Sequence, residues 1–94
     1  MELWCVNIQG PDDVIAVASR LDAIDYAARF NAWWVSRVEA EGLHEYDPTM
    51  WAVPTHWPHN ADSHAKNLSD LGEYAWLQGL PPTFVTRPVE KQFG

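Results

Sequence analysis

The sequence has one cysteine and no long apolar run, and each shortage excludes a class of protein. Cys5 alone cannot form a disulfide within the chain, which excludes a disulfide-stapled fold. No stretch reaches the roughly 18 consecutive apolar residues of a membrane span. Residues 1–10 also lack the basic and continuously apolar regions of a secretory signal. We therefore expect a cytoplasmic protein that does not bind membranes.

Basic residues are also few. Lysine and arginine total 6 against 13 acidic residues, which gives a formal net charge of −7. Binding of nucleic acid by phosphate neutralisation needs clustered lysine and arginine, so direct nucleic-acid binding is not expected. The charge favours a protein partner with a basic surface. Acidity that serves only to keep a small protein soluble is the plainer alternative.

Catalytic signatures are missing as well. The sequence has no glycine-rich phosphate loop, no nucleophile elbow and no paired-carboxylate spacing. Cys5 lies in a predicted strand, where a buried structural thiol is expected instead of a nucleophile. We therefore expect neither enzyme activity nor a cofactor.

Three histidines leave one alternative open. His56, His59 and His64 are close enough in sequence to share a metal ion, with Asp62 or Asp47 completing the site. No cysteine accompanies them, and their spacing matches no established zinc signature. A metal-dependent enzyme that uses these histidines is the alternative to a binding protein.

What the sequence does contain is enough apolar material for one core. Of its 94 residues 47% are hydrophobic, and six are tryptophan. The stretch from Ser19 to Gly42 predicts a long amphipathic helix, with Ser19 as N-cap, Asp22 in the capping-box position and Gly42 as stop. Its apolar side gathers residues at helical spacing: Leu21, Ala23, Ile24, Ala27, Ala28, Phe30, Trp34, Val35 and Val38.

Two strands precede the helix. Leu3 to Gln9 and Val14 to Ala18 predict a β-hairpin closed by a Gly-Pro-Asp turn. We expect Gln9 to face Val14, a register that collects five apolar residues on one side: Trp4, Val6, Ile8, Ile15 and Val17. The opposite side is mixed, and it is either exposed to solvent, covered by the C-terminal segment or part of a homodimer.

The second half of the chain predicts a third strand and more helix. Met50 to Thr55 alternates so that Trp51, Val53 and Thr55 share one side, which we expect to meet the long helix, while Pro54 indicates a sheet edge. Residues 60–78 predict a helical region that Asn60 caps and Gly72 divides in two. The whole predicts a single α+β domain over residues 1–82, in the order ββαβα, with a small antiparallel sheet packed on the long helix. Residues 83–94 are expected to form an extended tail.

Asn31 is a polar residue on the apolar side of the long helix. An unsatisfied buried amide costs about 1–3 kcal/mol, so its side chain needs a hydrogen-bond partner. We expect it to bind the backbone of the hairpin or of the loop after the third strand.

The other side of the helix carries a strip of aromatic and arginine residues. Tyr26, Arg29, Trp33 and Arg37, called here the outer strip, lie within roughly 80° of the helix circumference. Tyrosine, tryptophan and arginine dominate the energetics of protein interfaces, which makes this strip the predicted partner-binding surface. The alternative is that Trp33 packs beneath the C-terminal tail. A neighbouring acidic cluster completes the predicted surface: Glu39, Glu41, Glu45 and Asp47.

The run from Gln9 to Ser19, followed by Ala23, Ala27 and Asn31, resembles small accessory proteins of phages and prophages. The resemblance covers the first third of the chain and supplies no site residues. It implies a mobile-element protein of the group that includes anti-CRISPR and other host-defence inhibitors, which act by binding. The hypothesis is therefore a phage-type inhibitor that binds stoichiometrically to a nucleic-acid-handling complex in the host cytoplasm. A self-associating structural module is a further alternative.

Overall fold

The computed structural model describes residues 2–10, 12–41, 51–70 and 72–85. The elements follow in chain order: β1 (Trp4–Ile8), β2 (Asp13–Val17), α1 (Arg20–Glu41), β3 (Ala52–His56), α2 (Ala61–Ser69) and a 3-10 helix (Gly72–Gly79). The strands form one antiparallel sheet in the order β2-β1-β3. This confirms the predicted α+β fold. None of the helices within these ranges combines the length and the hydrophobicity that a transmembrane span requires.

α1 packs its apolar side on the sheet. The Asp22 amide donates to Ser19 Oγ at 3.1 Å, which confirms Ser19 as the cap. The fully buried Phe30 and Trp34 anchor the helix in the core, next to the hairpin residues and the buried Leu77 of the 3-10 helix. Leu21 does not belong to this side as predicted, because it lies at the exposed first turn and is 71% accessible.

The hairpin has the predicted faces but not the predicted register. Val6 pairs with Ile15 and Ile8 with Asp13, so the strands are displaced by two residues from the expected pairing. The turn sets this displacement, because Gly10 and Asp12 both adopt positive φ angles, 97° and 62°. Since side chains alternate with a period of two, a shift of two leaves each of them on its predicted face.

The third strand corrects a prediction. Val6 pairs with Pro54 and Ile8 with Ala52, so Ala52 and Pro54 share the face that meets α1, while Val53 lies on the opposite face. The prediction that Val53 contacts α1 is therefore wrong, because the inward-facing positions of β3 are shifted by one residue. Trp51, just before the strand, still packs against the core through an edge contact with Trp34, with ring centroids 6.0 Å apart.

Asn31 closes the outer edge of β3. The Gln9 amide donates to the Trp51 carbonyl, so the backbone polar groups of Trp51 face β1. Because these groups point to alternate sides along a strand, the N–H and C=O of Ala52 point away from β1. The Asn31 amide donates to the Ala52 carbonyl at 2.9 Å and accepts from the Ala52 N–H at 2.8 Å. The prediction that Asn31 binds backbone is confirmed, but the predicted partner is wrong, because Asn31 binds β3 and neither the hairpin nor the loop after the third strand. Pro54 has no N–H to expose at this edge.

Asn67 of α2 binds the other edge of the sheet. The N–H of Ala16 in β2 points away from β1 and donates to Asn67 Oδ1 at 2.8 Å. α2 itself begins after Asn60, whose side chain accepts from the Ser63 amide at 2.8 Å, as predicted. α2 therefore packs against β2 while α1 packs across the opposite face and the β3 edge.

The 3-10 helix packs against the rest of the domain. Leu77 is fully buried in the core, and the Tyr74 hydroxyl donates to Asp13 Oδ2 at 2.5 Å. Beyond it, residues 80–85 have no helix or strand, and Phe84 is 72% exposed. The remainder of the predicted tail lies outside the described residues.

Candidate protein-binding surface

The outer strip meets the 3-10 helix. Trp33 is half-buried between Phe30, with ring centroids 5.6 Å apart, and Trp76 of the 3-10 helix, 4.9 Å away. Trp76 is 41% exposed. Trp33 and Trp76, called here the tryptophan pair, therefore present aromatic surface to solvent while Trp33 remains partly covered.

Arg29 fixes the 3-10 helix to α1. Its Nη1 donates to the carbonyls of Leu77, at 3.4 Å, and Gln78, at 3.2 Å. The guanidinium also lies 5.4 Å from the centre of the Tyr26 ring, a cation–π distance. Carbonyls at the end of a helix lack helical partners, and the arginine supplies donors to two of them. Arg29 thus holds together the two elements that carry the tryptophan pair.

The remaining strip residues flank this contact. Tyr26 is half-buried and Arg37 is exposed. The side chains of Glu39 and Glu41, together with the predicted cluster residues Glu45 and Asp47, lie outside the described residues. The structure therefore brings together Tyr26, Arg29 and Trp33, and adds Trp76 to them.

Sequence analysis did not identify Trp76 as part of this surface. It lies in a 3-10 helix, where the apolar positions do not repeat with the period of an α-helix. The high tryptophan count was a general indication of aromatic contacts, but nothing in the spacing joined Trp76 to Trp33.

The three histidines contact tryptophan residues and are not gathered around a common point. The His56 ring lies 4.3 Å from the Trp4 ring, and the His59 ring 5.2 Å from that of Trp57. The buried His64 places Nε2 2.9 Å from the Trp4 carbonyl, which can only accept, so Nε2 is the donor. Among the described residues no three histidine, cysteine, aspartate or glutamate side chains are grouped to hold a metal ion. The geometry therefore gives no support to the metal-dependent alternative.

Cys5 is a buried thiol, as predicted. It is fully inaccessible on the central strand, and its Sγ lies 3.6 Å from the His56 carbonyl. Burial raises the pKa of the Cys5 thiol from 9.0 to about 11. The thiol is therefore protonated at neutral pH, the state in which it is a poor nucleophile.

A groove crosses the sheet face that points away from α1. It has a volume of about 540 Å³, within the range of ligand-binding clefts. Its floor is formed by side chains that alternate with the core residues, Asn7, Val14, Val53 and Thr55. Asp12 and Gln9 of the hairpin turn line one end, and His56, Pro58 and His59 line the other. This surface is called here the sheet groove. The sequence did not predict whether this face is exposed to solvent, covered by the C-terminal segment or part of a homodimer.

Comparison of the chain with protein-family models, with curated proteins and with solved structures found no significant match.

Proposed function

We propose that this protein acts by stoichiometric binding to another protein. The contact surface is the tryptophan pair, together with the Arg29 side chain that connects its two helices. The observation that carries the proposal is the exposure of Trp76, which is 41% accessible although it packs against Trp33. Large exposed aromatic rings on a fixed support are typical of interface anchors.

The rigidity of this surface supports the proposal. Arg29 binds the Leu77 and Gln78 carbonyls, and Leu77 is itself fully buried, so the backbone next to Trp76 is held from two sides. A contact residue that is already ordered loses little conformational entropy on binding. Trp76 can therefore contribute most of its burial energy to a complex.

The chemistry of the partner follows from the charge. A chain with a net charge of −7 attracts a basic surface and is steered towards it before contact. Complexes that handle nucleic acid carry such surfaces, because they bind phosphates. Together with the resemblance to phage accessory proteins, this supports an inhibitor of a host nucleic-acid-handling complex, such as a CRISPR-like defence complex.

The experiment compares two exposed side chains of similar accessibility. Trp76 is 41% exposed on the 3-10 helix, and Leu68 is 39% exposed on α2. The wild-type protein and the Trp76→Ala and Leu68→Ala variants are immobilised and incubated with bacterial lysate, and a partner recovered by the wild type is purified. Its affinity for each variant is then measured by calorimetry.

We expect a stoichiometry near one and an affinity that Trp76→Ala lowers by about tenfold or more, because loss of a hot spot costs about 2 kcal/mol. Leu68→Ala should bind like the wild type. Equal affinities for both variants would exclude the tryptophan pair as the contact surface. If the partner cuts or binds DNA, adding one equivalent of the protein should abolish that activity, and unchanged activity would contradict an inhibitory role.

A further inference from the structure

The sheet groove has the chemistry of a site for a basic side chain. The geometry points to the sheet groove as a second contact surface, which receives an arginine side chain of the protein partner on Asp12. This inference deepens the proposed function and rests on it in one respect, the basic character of the partner.

Among the described lining residues of the groove, Asp12 carries a negative charge. Apart from its two histidines, Asp12 is the ionisable residue among the described lining residues, and no lysine or arginine is found among them. Asp12 is exposed, so an incoming cation does not have to displace a buried partner.

The Asp12 carboxylate is also held in position. Asn7 Nδ2 donates to Asp12 Oδ1 at 3.0 Å, which fixes the carboxylate at the end of the groove. Within the described ranges, Oδ2 accepts no hydrogen bond. Because a carboxylate oxygen accepts two hydrogen bonds, both oxygens can still receive a donor from a ligand.

The floor of the groove favours arginine over a compact cation. Val14 and Val53 offer apolar contact to an aliphatic stem, and Thr55 and Gln9 supply further acceptors beside it. A planar guanidinium can donate to both oxygens of a carboxylate, which an ammonium group cannot do with the same geometry. The groove therefore pairs an apolar track with an anchored carboxylate at its end.

The test uses a single arginine and its uncharged isostere. The ¹⁵N-labelled full chain is titrated with the peptide acetyl-Gly-Arg-Gly-amide and with the same peptide carrying citrulline, and amide shifts are followed by NMR. We expect the arginine peptide to shift the amides of Asn7, Asp12, Val53 and Thr55. Citrulline should bind about tenfold more weakly, because it loses a charge-assisted pair of hydrogen bonds.

Two variants separate the groove from the overall charge. Asp12→Asn should weaken the arginine peptide about tenfold, and it should fold, because asparagine tolerates the positive φ of 62° found at this position. Asp25→Asn removes the same charge from α1, on the other side of the sheet, and should change binding by less than about twofold.

The results overturn the proposal if the shifts fall outside the groove, if citrulline binds as well as arginine, or if both variants weaken binding equally. No natural partner is used, so this outcome is independent of the capture experiment. A partner lost on Trp76→Ala together with no peptide binding would refute the groove and leave the tryptophan pair. The reverse result would refute the tryptophan pair and leave the groove.

Discussion

The two edges of the sheet are both bound by an asparagine, but they are bound to different extents. At β3, the buried Asn31 side chain makes two hydrogen bonds to Ala52 and pairs with it as a neighbouring strand residue would. At β2, the half-buried Asn67 side chain accepts one bond from within the described residues, donated by the Ala16 N–H. An open edge exposes backbone donors and acceptors that can pair with another chain, so both contacts protect the sheet from such pairing.

The difference between the edges follows burial. At the β3 edge α1 excludes water, and both polar groups of Ala52 must find a partner within the protein. At the β2 edge the contact with α2 is only partly buried, so water can satisfy what the side chain does not. A helix can therefore complete a sheet edge with one amide, and the number of bonds needed depends on how dry the edge is.

The largest expected effect comes from breaking the buried edge. Asn31→Ala leaves the N–H and C=O of Ala52 buried without partners, and we expect the free energy of unfolding to fall by about 3 kcal/mol. Urea denaturation followed by circular dichroism measures the loss. Ser36→Ala on the exposed side of the same helix is the control and should cost less than about 0.5 kcal/mol. A loss below about 1 kcal/mol for Asn31→Ala would show that this edge admits water.

The central strand between the edges supplies a pH test. The unfolded chain releases the Cys5 proton near pH 9.0, whereas burial raises the pKa in the folded protein to about 11. The free energy of unfolding should therefore be fully maintained below pH 9 and fall by about 2 kcal/mol as the pH rises to 11. Denaturation of the wild type and Cys5→Ala over this range isolates the thiol, because the other groups titrate in both. An identical pH dependence in the two proteins would refute the buried thiol.

At the half-buried edge the loss should be smaller. Asn67→Ala removes one hydrogen bond from the Ala16 N–H, and we expect a destabilisation of about 1 kcal/mol. Hydrogen exchange should show faster exchange at the Ala16 amide, while the Ala52 amide remains as protected as in the wild type. Equal acceleration at both amides would mean that the two edges open together.

The smallest effect tests the number of bonds directly. Asn67→Asp keeps the acceptor that Ala16 uses, so it should change the free energy of unfolding by no more than about 0.5 kcal/mol. Asn31→Asp keeps an acceptor but loses the donor to the Ala52 carbonyl, and it should cost well above 1 kcal/mol in the same urea assay. Similar costs at the two positions would remove the distinction between the edges.

Sequence patterns predicted the faces of the hairpin more reliably than its register. The alternation of apolar residues survives a shift of two, whereas the register depends on the positive φ angles of Gly10 and Asp12. The alternation in β3 predicts the wrong inward face, because it places the bulky Val53 towards α1 whereas the small Ala52 faces the helix. α1 lies so close at this edge that Asn31 reaches the Ala52 backbone, which explains why the small Ala52 faces the helix.

The sequence predicted the part of the candidate site that lies on α1, but not the part on the 3-10 helix. Helical spacing identified Tyr26, Arg29 and Trp33 on one side of α1, since these residues belong to a single element. Trp76 comes from a distant 3-10 helix, and only the folded chain brings it to Trp33. Asn67 was missed for the same reason, because a polar residue on a short helix has the same appearance whether it faces water or a strand.

The strand order also has a consequence for synthesis on the ribosome. β1 leaves the ribosome before β2 and β3, yet it lies between them in the sheet. β2 and α1 follow it closely in sequence, so the nascent chain can pair one side of β1 and complete the helix before β3 has been made. The Asn31 amide is then already present when Ala52 emerges. β3 therefore adds between two preformed hydrogen-bonding partners, the backbone of β1 and the side chain of Asn31.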